Sequence, residues 1–246
     1  IFLFFILYFA NPILKAEGQE QELVLEIYPQ WYSDENYAVK GNIGIAKNYG
    51  SNDWVEYYAS PSLAYALDNN WALHGGLGLY YTDYKASDND VEIRPYQGVS
   101  HFYPLSEKWK LSSYFRIEER FHSAEDKKDS TRLRLRFRTD YTLNPSSIDY
   151  SWHKLTLGIE GFKSYTQSEI NTGTQEHYNY ESHISVGMER TLIKQEKVRF
   201  ELMWKYKSPP KNRSESAVNT VYFKIQYYPV WGGVLTNRLF HRGIDD

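Results

Sequence analysis

The chain contains no cysteine, which excludes disulfide staples and thiolate metal sites. After its first ten residues it also lacks any apolar run near the roughly 18 residues that a membrane-crossing helix needs. An excess of one charge is missing too. With 28 basic and 31 acidic residues the net charge is -3, so a nucleic-acid partner gains no support. Disorder is excluded by an apolar share of 41%, whereas the mean hydropathy is too low for a helical membrane protein. At 246 residues a single domain is expected, because β-barrels commonly reach this size.

The one continuous apolar stretch is Ile1 to Ala10 (IFLFFILYFA), broken by Asn11 and Pro12 and followed by Leu14-Lys15-Ala16. Ten residues are too few to cross about 30 Å of hydrocarbon as a helix. The pattern predicts a signal peptide over 1–16, with its first few residues missing because neither Met nor a basic n-region precedes it. A buried first strand or core helix is the alternative. Export would leave a barrel over 17–231 and a C-terminal tail over 232–246.

Aromatics are abundant. The 23 tyrosines and seven tryptophans exceed what an ordinary core needs, and outer-membrane barrels carry such side chains in girdles at both lipid interfaces. The stretch TRLRLRFRTD, Thr131 to Asp140, sets Arg132, Arg134, Arg136 and Arg138 at every second position, with Leu133, Leu135 and Phe137 between them. A period of two belongs to a strand with one charged wall and one apolar wall.

The same two-faced alternation marks eleven segments: Leu23 to Tyr32, Tyr37 to Lys47, Trp54 to Leu67, Trp71 to Thr82, Val91 to Tyr103, Trp109 to His122, Thr131 to Thr142, Trp152 to Tyr165, His177 to Arg190, Val198 to Lys207 and Val218 to Trp231. Most are longer than the usual five or six residues of soluble strands and match a tilted membrane strand. The connectors alternate between short ones (Ser33 to Asn36, Asp68 to Asn70, Ser106 to Lys108, Lys194 to Gln195) and long polar ones (Lys85 to Asp90, Ser123 to Ser130, Thr166 to Glu176, Ser208 to Ala217). These read as periplasmic turns and external loops. The expected fold is all-β, an antiparallel up-and-down transmembrane β-barrel of 10 to 12 strands. Bacterial barrels of this type have even strand numbers, so ten or twelve strands are expected. The eleven segments conflict with that rule unless Leu23 to Tyr32 is incomplete or a strand such as Val234 to His241 was missed.

With the apolar face toward lipid, Phe115, Ile117 and Phe121 point outward while Arg116, Glu118 and Arg120 point into the lumen. Arg132, Arg134, Arg136, Arg138, Lys154, Glu160 and Glu181 join them as lumen-lining candidates. Basic residues outnumber acidic ones on that face, and an arginine-rich wall in a narrow lumen would favour small anionic solutes. The planar fork of arginine suits carboxylates in particular. Two other readings fit the same residues. Arg and Glu on neighbouring strands would pair and close the lumen, or the faces would be reversed in a soluble barrel. Glu119, Gln97 and Pro95 are exceptions on the outward face, and a proline within a strand marks a bulge or rim position.

Signals for catalysis are sparse. Glu181, His183 and Ser185 alternate on one face, and a lipid hydrolase could pair His with Ser in this way, yet neighbours on one strand point in parallel and no oxyanion hole is evident. His177 and His183 with Glu181 would be the metal candidates, against the commoner solvated or paired lumen histidine. His74, His101 and His153 carry no signal, and the Asn212-Arg213-Ser214 sequon has no weight in a bacterial barrel. No enzyme activity, cofactor or resident metal is expected.

Through RPYQGVSHFYPL (Arg94 to Leu105), FRIEERF (Phe115 to Phe121) and RLRLRFRTDYTL (Arg132 to Leu143), the chain resembles a family of bacterial outer-membrane barrels catalogued as a domain of unknown function. The likeness extends from about Leu23 to Pro229 through the ERTL and WKYK regions. It implies a barrel fold and residence in the bacterial outer membrane, and it implies no established activity. Outer-membrane lipid is the partner expected for the apolar strand faces, and the alternation of Phe223, Ile225, Tyr227 and Trp231 on one face, like a carboxy-terminal strand read by the barrel-insertion machinery, makes that machinery the expected partner during biogenesis. The middle third is also similar to small porins for acidic oligosaccharides through its inward arginines, although the glutamates here depart from a pure arginine track.

Overall fold

The computed structural model describes residues 19–50, 53–85, 88–106, 108–124, 127–143, 154–170, 173–192, 196–208 and 218–229. Among these residues every regular element is a strand. The strands are β1 (Gln19–Ile27), β2 (Gln30–Ser33), β3 (Tyr37–Asn48), β4 (Trp54–Ala66), β5 (Trp71–Tyr84), β6 (Asp90–Pro104), β7 (Trp109–Ala124), β8 (Lys127–Leu143), β9 (Lys154–Ile170), β10 (Gly173–Thr191), β11 (Lys197–Lys207) and β12 (Val218–Tyr228). Sequence neighbours pair in order from β2 to β12, and β1 pairs with both β12 and β3, which closes the sheet into a barrel. The expected signal peptide, the C-terminal tail, the segment Val234 to His241, the Asn212 sequon and the start of the Trp152 segment lie outside the described residues.

β1 and β2 together form one stave. Both run antiparallel to β3 in a continuing register, Ile27 opposite Ile43 and Gln30 opposite Lys40. Between them stands Pro29, which has no N–H for the ladder, although its carbonyl still accepts from Gly41 at 3.1 Å and the Tyr28 N–H donates to the Tyr227 carbonyl at 2.8 Å. The described residues therefore make an eleven-stave barrel. The expected even number is not met, and geometry explains how the barrel still closes. In an up-and-down barrel consecutive strands alternate in direction, so with an odd count the first and last run the same way. β1 and β12 do pair in parallel, from Gln19 opposite Asn219 to Ile27 opposite Tyr227, while every other pair is antiparallel.

The alternation in sequence becomes two walls. Arg136 and Arg138 are buried while Phe137 between them is 53% exposed. The outer wall carries exposed aliphatic side chains such as Ile43, Leu63, Leu79, Leu157, Ile159 and Val186. The inner wall holds two small apolar clusters, Ala38, Ala64, Ala66, Ala72 and Phe102 in one and Val24, Ala46 and Tyr58 in the other. Its remaining buried residues are largely polar or charged. This is inside-out relative to a water-soluble domain.

Three short turns at one end share a construction. Asp34 Oδ1 accepts from the backbone N–H groups of Asn36 and Tyr37, Asp68 Oδ1 accepts from those of Asn70 and Trp71, and Ser106 Oγ accepts from that of Trp109. The side chain thus replaces a backbone acceptor and holds the hairpin tight. Each turn delivers an aromatic residue three positions on, at the first residue of the next strand. These aromatics meet partners on neighbouring strands: Tyr37 with Tyr65 at 4.9 Å between centroids, Trp71 with His101 at 4.0 Å and Trp109 with Tyr141 at 4.5 Å. Aromatics therefore line the short-turn end from β3 to β8.

Candidate functional site

The barrel interior from β6 through β12 to β1 carries several clusters of ion pairs. Strand period places alternate residues inside, and register determines which of them meet. Glu118 on β7 faces Arg134 on β8 and accepts from its Nε at 2.6 Å. Arg116, two residues earlier on the same strand, donates its Nε to the same carboxylate at 2.6 Å, and Arg94 on β6 lies 3.9 Å away. Three cations thus converge on one carboxylate with no solvent exposure.

The pattern continues around the wall. Glu92 takes two parallel bonds from Arg120, at 2.5 and 2.6 Å, and one from Arg94 at 2.7 Å. Glu160 binds Arg136 and lies 3.3 Å from His183 Nδ1. Arg138 donates to Asp140 at 2.9 Å and to Glu201 at 3.3 Å, and Glu201 also takes Arg199 at 3.1 Å. Glu181 binds His183 at 2.6 Å and Lys205 at 3.6 Å, while Lys154 and Lys197 share Glu189. At the closing seam Glu26 accepts from Tyr28 and Gln226 at 2.9 Å each and from Tyr58, with Lys224 at 3.5 Å.

Aromatic rings fill the gaps between the forks. Arg94 lies 3.9 Å from the Tyr80 ring centroid, Arg116 4.2 Å from that of Tyr96, and Arg134 and Arg136 lie 4.8 and 5.5 Å from that of Phe162. A guanidinium can bind carboxylates along its edge and a ring on its face, so each arginine is held on two sides. Gly76 makes room for one of these rings, since a Cβ there would fall onto Tyr96.

All ten lumen-lining candidates from the sequence, Arg116, Glu118, Arg120, Arg132, Arg134, Arg136, Arg138, Lys154, Glu160 and Glu181, lie on the inner wall. Nine of them take part in the pairs above. Arg132 does not. It stands directly opposite Arg120, as Arg116 stands directly opposite Arg136. Each of the other arginines and lysines named above has a carboxylate within reach, so this wall carries shared ion pairs rather than a row of arginines without counter-ions.

The alternation Glu181, His183, Ser185 does not assemble a catalytic triad. His183 reaches carboxylates through both ring nitrogens, Glu181 on one side and Glu160 on the other. Ser185 is buried. Among the described residues no group of three or more His, Asp or Glu is arranged to hold a metal, and the His177 side chain lies outside them.

Sequence reasoning missed the three ring partners, Tyr80, Tyr96 and Phe162, and the buried contact of His74 Nε2 with Ser100 Oγ at 2.8 Å. Inward phase is their only sequence signal. It also missed the turn motif, an Asp or Ser followed three residues later by Tyr or Trp, which can be read directly in DENY, DNNW and SEKW.

These features define a closed β-barrel with an apolar outer wall and an ion-paired interior. Residues 30–216 match the family model described as protein of unknown function (DUF2490), so the chain belongs to that family. Among curated proteins and among solved structures no match is found.

Proposed function

We propose that this protein is a bacterial outer-membrane barrel whose lumen is sealed by its ion-pair network, a structural barrel rather than a pore. The observation that carries this reading is Glu118, fully buried under the guanidinium groups of Arg116 and Arg134 and close to that of Arg94. An anion pathway needs cations facing water, and here Arg94, Arg116, Arg120, Arg134, Arg136, Arg138 and Arg199 all face carboxylates, several of them with a ring on the other side. Glu201 and Arg138 are equally closed off, at 0% and 2% exposure.

Membrane residence is supported by the outer wall. Exposed aliphatic residues such as Leu73, Leu79, Ile159 and Val186 cover it, and aromatic residues such as Trp31, Tyr37, Trp71 and Tyr103 stand toward the short-turn end. A contiguous apolar surface of this extent in water would aggregate, whereas outer-membrane lipid covers it naturally. Such a barrel would reach the membrane through the barrel-insertion machinery and would have no enzyme activity. The lipid-hydrolase alternative gains nothing from Ser185, which points away from the lipid.

Conductance in planar bilayers tests the sealed lumen. The refolded protein is expected to insert without discrete conductance steps. Reproducible anion-selective steps would overturn the closed reading in favour of a small-anion pore.

A further inference from the structure

Three outward residues that break the apolar alternation, Pro95, Gln97 and Glu119, stand together on the wall assigned to lipid. Gln97 on β6 is exposed, and its ladder neighbours are Gly75 on β5 and Ile117 on β7. Glu119, also exposed, lies two residues beyond Ile117 on β7 and faces Leu133 on β8. These neighbours have no polar side chain, and neither the Gln97 amide nor the Glu119 carboxylate bonds any described residue.

The apolar band continues around both. Leu77, Ile93, Phe121 and Leu133 are exposed on the same wall, so the two polar groups stand within the band rather than at its rim. An amide or a carboxylate without a partner is costly in hydrocarbon. The fold does not require them there, since on β11 and β12 the outward positions Phe200, Leu202, Trp204, Phe223 and Ile225 are all apolar. The surface beside them also admits a close approach. A Cβ at Gly75 would have nothing nearer than 3.9 Å, which leaves a notch next to Gln97. Pro95 has no N–H, and the β6–β7 pairing stops at Ile93 opposite Phe121 and resumes at Tyr96 opposite Glu118.

We propose that this face of β6 and β7, around Gln97 and Glu119, docks a second copy of the chain within the membrane. Gln97 supplies two N–H donors, and an ionised Glu119 only accepts. A two-fold axis along the membrane normal, passing between β6 and β7, brings Gln97 of each copy to Glu119 of the other, so the same bond is made twice. The patch completes itself, whereas lipid tails offer it no partner. Polar side chains join membrane-embedded helices by the same physics. The inference rests on the membrane reading and is independent of whether the lumen conducts.

Sedimentation equilibrium of the full refolded chain in a density-matched detergent measures the association. A monomer–dimer equilibrium is expected. Gln97→Leu and Glu119→Leu should each weaken the dimer about tenfold, because one substitution removes both symmetry-related bonds, while Leu202→Ala on β11 should leave it unchanged. Urea unfolding at dilutions where the parent is monomeric should show no loss of stability in either leucine variant, since leucine suits lipid better than the polar group it replaces. The chain has no cysteine, so single cysteines locate the contact in dilute liposomes. Ile117→Cys, beside the axis, should be bridged to its symmetry mate by a short bis-maleimide, and Leu202→Cys should not. A monomer at every concentration, a dimer indifferent to both leucine substitutions, bridging of Leu202→Cys in place of Ile117→Cys, or cross-linking of Ile117→Cys in whole cells to a different protein alone would each overturn the proposal. A chain that stays in solution without detergent would remove the membrane reading as well, whereas a detergent-dependent monomer removes this proposal only.

Discussion

Glu118 and Arg134 stand directly opposite each other across the β7–β8 ladder, joined at 2.6 Å with the carboxylate wholly buried. Glu118 is the counter-ion for Arg116 as well, because Arg116, the neighbouring inward residue on the same strand, donates to Oε1 while Arg134 donates to Oε2.

Replacement of Glu118 by Gln would leave two guanidinium groups without their shared carboxylate in a site closed to solvent. Loss of one member of a buried ion pair costs about 3–5 kcal/mol, and this carboxylate serves more than one partner. Urea unfolding in detergent micelles should show a loss of at least that size, and a midpoint equal to that of the parent protein would contradict the role given to Glu118.

Two glycines offer a matched comparison. A Cβ at Gly76 would meet the Tyr96 ring that stacks on Arg116, whereas a Cβ at Gly161 meets nothing within 4 Å. Gly76→Ala should destabilise by about 1–3 kcal/mol through overpacking, and Gly161→Ala should be close to neutral. Equal losses in the same unfolding assay would remove the ring-over-glycine contact from the account.

The turn at Asp34 predicts a local acid response. Its carboxylate accepts from the backbone N–H of Tyr37 at 2.7 Å, from the Tyr32 hydroxyl at 2.8 Å and from the N–H of Asn36 at 2.8 Å, and these bonds hold its pKa below the ordinary carboxylate value. A lowered folded-state value means that the contribution is complete above about pH 4 and is lost as pH falls further, through the folded value. Amide exchange at Tyr37 should accelerate below that pH in the parent protein, and Asp34→Ala should exchange fast at every pH. An exchange profile without an acid limb beyond that of an unstructured amide would count against the turn.

The outward face makes a different prediction. Phe137 is 53% exposed on a wall assigned to lipid. Phe137→Arg should cost about 2–4 kcal/mol near the bilayer midplane, while the same change on a water-facing wall is close to neutral. Unfolding from liposomes distinguishes these cases.

Much of this architecture was legible in the sequence, for a physical reason. Side-chain direction along a strand depends only on parity, so Arg132 through Arg138 and Glu118 could be assigned to one wall without knowledge of any neighbour. Pairing depends on register, which is set between strands. That is why the sequence left the choice between an arginine track and a salt-bridged interior open. The direct opposition of Arg116 with Arg136, and the diagonal reach of Arg136 to Glu160, appear only once β7, β8 and β9 are aligned. Strand parity failed for a related reason. Even numbers are a regularity of bacterial barrels, not a requirement of closure, and the parallel pairing of Leu23 with Phe223 joins residues from opposite ends of the chain that no local pattern connects.

The absence of cysteine makes the central claim open to a direct measurement. A single cysteine introduced at Leu157, exposed on the outer wall, can carry a nitroxide in the reconstituted protein, and its relaxation reports collisions with oxygen, which dissolves in hydrocarbon, or with a water-soluble nickel chelate. The account predicts strong relaxation by oxygen and almost none by nickel. Strong relaxation by nickel in intact liposomes would place this wall in water and contradict it.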